Sequence, residues 1–104
     1  MLRRVNALRI RHTVTFTLAH PEGSAEERDF LDAAARLADI PGVEDFEVLR
    51  EVSPKNGFRF GLSMEFADQA AYDGYNNHPK HVAFVKNRWE REVEKFLEID
   101  YQPI

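Results

Sequence analysis

The chain predicts an α+β domain of the ferredoxin-like type, β-α-β-β-α-β, with a four-stranded antiparallel sheet. Three observations carry this. Residues 12–18 and 58–66 alternate apolar and polar side chains with a period of two. Two helix-patterned stretches, each opened by a capping residue, lie between strand-patterned ones. The turn sequences fall where that order needs chain reversals.

The first strand carries His12, Val14, Phe16 and Leu18 on one face and Thr13, Thr15 and Thr17 on the other. Its β-branched content suits a pleated surface. His20-Pro21-Glu22-Gly23 ends it, and the Ser24/Glu27 pair forms a capping-box pattern that starts a helix. Phe30, Leu31, Ala34, Leu37 and Ala38 fall on one side of that helix. Ile40-Pro41-Gly42 stops it.

A second strand is expected from about Val43 to Val52, with Phe46 and Val48 on one face. Asn56-Gly57 is a hairpin signal. The third strand alternates Phe58, Phe60, Leu62, Met64 and Phe66 with Arg59, Gly61, Ser63 and Glu65. Asp68 caps a helix containing Ala71, Tyr72 and Tyr75. Pro79 suits the first turn of a following helix, whose apolar stripe is Val82, Val85, Trp89 and Val93. Residues 96–101 form the last strand, ended by Pro103. Residues 1–11 read as an N-terminal arm and residues 12–104 as a single domain.

Composition bounds the function. A chain of 104 residues, 43% hydrophobic and 31% charged, is an ordinary globular domain with a small core. A net charge of −4 argues against a nucleic-acid face, which needs clustered positive charge. With no cysteine there is no disulfide, thiolate metal site or thiol nucleophile, which suits a reducing, cytoplasmic location. No stretch reaches membrane-spanning length, and the arginine-bearing arm lacks the apolar run of a signal peptide.

The open face of the sheet would carry Thr13, Thr15, Thr17, Leu49, Gly61, Ser63, Leu97, Ile99 and Tyr101. That mixture is too apolar at one end for a solvated face, so a second copy of the sheet is expected against it. The chemistry is concentrated in Tyr75-Asn76-Asn77-His78-Pro79-Lys80-His81, which sets a phenol and two imidazoles at the joint between two helices. His78 and His81 are spaced for one helix face, yet a metal would need a third converging ligand, so no metal site is assigned.

His12-Thr-Val-Thr-Phe16, Ile40-Pro-Gly-Val43, Gly61-Leu-Ser-Met-Glu-Phe66, Tyr75-x-x-His-Pro-x-His-Val82 and Phe96-Leu-Glu-Ile-Asp-Tyr101 together resemble the stress-responsive dimeric α/β-barrel (Dabb) family. The resemblance implies a homodimer whose two sheets face each other as a barrel. Some plant members are polyketide cyclases that close a ring by an aldol-type step with no metal or organic cofactor. In that branch a helical tyrosine pairs with a histidine six residues later, and Tyr75 and His81 match. A first-strand histidine near the site matches His12. A third-strand histidine has no counterpart, because Phe60 stands at that position.

His81 is expected as base and Tyr75 as hydroxyl donor to a carbonyl oxygen, the pair that the resemblance matches, with His12, Phe60 and His78 expected around the substrate. The function expected is a small homodimer binding an apolar or carbonyl ligand, as a cofactor-independent lyase or cyclase. A non-catalytic ligand-binding or stress-response dimer is the alternative, and a haem-using relative with His81 as axial ligand is a third.

Overall fold

The computed structural model describes residues 7–104. Met1 to Asn6, including Arg3 and Arg4 of the expected arm, lie outside the described residues. The sheet is four-stranded in the order β2-β3-β1-β4, with every neighbouring pair antiparallel. This is the split βαβ arrangement expected from the element order.

Strand β1 (Ile10–Leu18) is central. It starts before His12, so Ile10 and Arg11 belong to the sheet rather than to an arm. Ile10, His12, Val14, Phe16 and Leu18 are buried under the helices. Helix α1 (Ala25–Ala35) is capped by Ser24, whose hydroxyl accepts from the Glu27 amide, while Glu27 reaches back to the Gly23 amide. Such a cap stabilises by about 1 kcal/mol. A 3₁₀ turn at Arg36–Asp39 follows. Gly42 then turns the chain at φ +90°, a left-handed conformation that a side chain would strain.

Strand β2 (Glu44–Arg50) is shorter than the span from Val43 to Val52, with a register shift between Glu44 and Glu47 where Asp45 takes φ 49°. Residues 51–59 form the connection to β3 (Phe60–Phe66), so Phe58 precedes the strand. Asn56 works there through its side chain, accepting from the Phe58 amide. Phe60, Leu62, Met64 and Phe66 are buried beside the β1 row.

Asp68 caps α2 (Gln69–Asn77) by accepting from the Ala71 amide at 2.9 Å. His78, forced into extended backbone by the proline after it, ends α2, and its Nδ1 accepts from the Lys80 amide to open α3 (Pro79–Phe84). The chain continues through a π-helical turn, Val85–Trp89, and one last turn, Glu90–Glu92.

Strand β4 then runs Val93–Tyr101, earlier than residue 96, so Val93 opens the strand instead of closing a helical stripe. Val82 also leaves the stripe: it is exposed, because α3 turns its Phe84 face inward. The core centres on Phe16, which packs against Phe30, Phe60 and Trp89 at ring separations of 5.8, 5.8 and 5.0 Å. On the other side of the sheet, Leu49, Leu97, Ile99 and Tyr101 stand exposed. Among the described residues no helix is long and apolar enough to cross a membrane.

Candidate functional site

A cavity of about 460 Å³ lies between the helix-facing side of the sheet and the α2–α3 joint. That volume suits a small organic molecule. Most of its wall is apolar, including Leu37, Leu62, Met64, Phe84 and Trp89. The polar groups among its lining residues come from β1, the helix joint, the last helical turn at Glu90 and β4.

Strand alternation puts His12 on the buried face of β1. Its register partner on β4 is Asp100, and the two side chains meet with Nδ1 2.6 Å from Oδ1. Tyr72, on α2, donates its hydroxyl to the other carboxylate oxygen at 2.9 Å, and its oxygen lies 2.9 Å from the same Nδ1. A carboxylate accepts, so Nδ1 carries a proton, and in the neutral ring Nε2 holds the lone pair. The arrangement orients the imidazole as a base, in the manner of a carboxylate–histidine pair. Burial, then the hydrogen bond to Asp100, pushes the Tyr72 phenol well above its ordinary range, so it stays a donor.

Tyr75 lies one turn after Tyr72 on the same side of α2. It is 2% exposed, yet its hydroxyl makes no hydrogen bond to any described residue. Burial, then the charge of Glu98, pushes its acidity far below that of a free phenol. The Pro79 break folds α3 back so that the His81 ring packs on Tyr75 with centroids 4.3 Å apart. His81 Nδ1 lies 3.1 Å from the Asn76 carbonyl oxygen, which can only accept. Its Nδ1 is therefore the protonated nitrogen, and Nε2 again holds the lone pair. Burial lowers the His81 pKa, against an opposing pull from the Asn76 carbonyl, so the ring favours its neutral, basic form.

The structure thus brings His12, Tyr75 and His81 to one cavity, with the His12 and Tyr75 rings 6.3 Å apart. It does not bring Phe60 or His78 there. Phe60 pairs with Phe16 farther along the sheet, while the cavity wall on β3 is Leu62 and Met64. The His78 ring is occupied in capping α3. Among the described residues no three His, Asp or Glu side chains converge to hold a metal ion.

Sequence reasoning missed Tyr72 and Asp100 as site residues. The spacing of Tyr72 and Tyr75 was the available signal for one. Asp100 needed the β1–β4 register, since alternation gives its face but not its partner.

The fold and cavity define a small α+β barrel domain of ferredoxin-like architecture. Residues 10–103 match the family model described as Dabb, the stress responsive A/B barrel domain, and the chain belongs to that family.

Its fold is similar to a Dabb family protein with a ferredoxin-like fold from Mesorhizobium loti, at 63% identity and TM-score 0.90 over 92% of this chain and 97% of that one. A dimeric protein of unknown function and ferredoxin-like fold from Bacteroides fragilis is similar at 23% identity and TM-score 0.71, covering 91% and 96% of the two chains. The hydroxynitrile lyase of Passiflora edulis shares the fold at 16% identity and TM-score 0.82, over 94% and 95%. No curated protein matches the sequence.

Proposed function

We propose that the chain is a homodimeric, cofactor-independent lyase or cyclase that moves protons on a small carbonyl compound. The observation that carries this reading is the cavity shared by two imidazoles, each with Nδ1 tied to a fixed acceptor, and a phenol without a hydrogen-bond partner among the described residues.

An Nε2 lone pair, on His81 or His12, takes the proton from the carbon beside the carbonyl. The electron pair moves to the carbonyl oxygen, where the Tyr75 hydroxyl donates to the enolate. The enolate carbon then attacks a second carbonyl, whose oxygen takes up the proton, closing a carbon–carbon bond. The reverse sequence cleaves one. That a hydroxynitrile lyase uses this fold is compatible with lyase chemistry here, although at 16% identity only the fold is shared.

The exposed Leu49, Leu97, Ile99 and Tyr101 support the dimer, since they form an uncovered apolar stretch on the sheet. The related Bacteroides fragilis protein is described as dimeric.

The test is hydrogen–deuterium exchange at the methyl group of acetophenone in D₂O, followed by proton NMR. The protein is expected to accelerate exchange, with His81→Ala and Tyr75→Phe each losing about 10²-fold or more. The apolar lining also suits a dimer that holds a ligand without chemistry. Acetophenone binding with no acceleration of exchange would favour that second reading.

A further inference from the structure

We propose that Glu98 sets the charge of the ligands the cavity accepts: neutral or cationic carbonyl compounds enter, and carboxylates are rejected. The inference rests on the cavity being the ligand site, as proposed above, and adds the substrate class.

Glu98 stands opposite Val14 on β4, on the helix-facing side of the sheet, and lines the cavity. It makes no ion pair or hydrogen bond to any described residue. No Lys or Arg is among the lining residues, while Glu90 is. Asp100, two residues along β4 and behind His12, adds a third carboxylate near the site. His81 is held toward its neutral form, so it does not offset them. A ligand anion in this largely apolar cavity would face the Glu98 carboxylate with no cationic side chain among the lining residues, and like charges repel. A ligand hydroxyl or ammonium group would instead find an acceptor in Glu98. The shallow groove outside His81 differs, because Lys86 lies there beside Glu90. The selection therefore falls on the inner cavity, and on Glu98.

Trp89 is the sole tryptophan and lines the cavity, so its fluorescence reports occupancy whether or not turnover occurs. The probes are three ring-matched ketones: acetophenone, 4-acetylbenzoate and 4-acetylphenyl-trimethylammonium. In the unmodified protein the anion is expected to bind about tenfold more weakly than acetophenone, and the cation at least as tightly as acetophenone. Glu98→Gln should close most of the anion gap, and Glu98→Lys should reverse the order of anion and cation. Glu98 is exposed, so both variants should fold. Glu26→Gln, an exposed change on α1 that alters net charge by the same unit as Glu98→Gln, should leave the ratios unchanged.

Equal binding of all three probes, or ratios that Glu26→Gln moves as much as Glu98→Gln, would overturn the proposal while leaving the acid–base reading intact. Ordered binding without deuterium exchange would remove the acid–base reading and keep this one. Failure of all three probes to bind would remove both.

Discussion

His12 and Asp100 are register partners across β1 and β4, and their side chains meet at 2.6 Å. The pairing joins the first and last strands at the end of the sheet nearest the α2–α3 joint. Tyr72 secures it from above by donating to the free carboxylate oxygen. Backbone register thus decides which imidazole nitrogen faces a ligand.

Asp100→Asn is the direct test of that relationship. An amide can turn its NH₂ toward Nδ1, which would move the proton to Nε2 and remove the base. Proton exchange on acetophenone should slow by about 10²-fold with little change in binding. Imidazole ¹⁵N shifts of His12 should report the tautomer change. An unchanged rate with an unchanged tautomer would show that Asp100 serves only the fold.

Phe60→Ala should separate stability from the site. Phe60 is 2% exposed and packs on Phe16, so its loss should cost about 3–5 kcal/mol. Thermal unfolding would show a midpoint lower by ten degrees or more, on the order of 4–8 °C per kcal/mol for a domain of this size. Acetophenone affinity at a temperature where the variant is folded should change little, because Phe60 does not line the cavity.

The frame of the protein was legible because period-two and capping signals are local. Thr13, Thr15 and Thr17 named one face of β1, and Ser24 and Asp68 named two helix starts. The failures are equally physical. Val82 and Val93 satisfy a helical stripe by spacing, but α3 turns its Phe84 face inward and leaves Val82 exposed, and beyond the π-helical turn at Val85–Trp89 the helix ends at Glu92, so Val93 opens β4. Phe60 was assigned to the site through resemblance, whereas β3 register sets Leu62 and Met64 against the cavity. The Tyr75–His81 contact was partly legible, since Pro79 announces the joint. The Tyr72–Asp100–His12 cluster was not, because its members lie on three separate elements.

Stability should depend on pH at both ends. The folded-state pKa of His81 is depressed by burial, so the unfolded chain binds a proton there first. Its contribution is fully present above about pH 6.5 and is lost as pH falls through the depressed value. His81→Gln should therefore show a shallower fall in thermal midpoint below pH 6.5 than the parent. For Tyr72 and Tyr75 the folded pKa is raised, so the unfolded phenols ionise first and stability is lost above about pH 10. Tyr75→Phe should flatten that alkaline limb. Parallel pH profiles for parent and variants would contradict both assignments.

The open face of the sheet carries the remaining prediction. Leu97 and Ile99 are 50% and 39% exposed, and they flank Glu98, which faces the opposite side. Covering what remains exposed of such side chains is worth roughly 1 kcal/mol each, about half of the gain from full burial. Thr13, Thr15 and Gly61 beside them are small, so a second sheet can approach closely. Light scattering should give twice the 12.1 kDa chain mass at micromolar concentration. The pair Leu97→Lys and Ile99→Lys puts four like charges across a two-fold interface and should yield monomers. Because the changed side chains point away from the cavity, any acetophenone binding that survives would mark the site as complete within one chain. Loss of binding together with loss of the dimer, with near-native circular dichroism, would mean that the partner subunit holds the cavity in shape. A parent protein that runs as a monomer would remove the dimer from the proposed function.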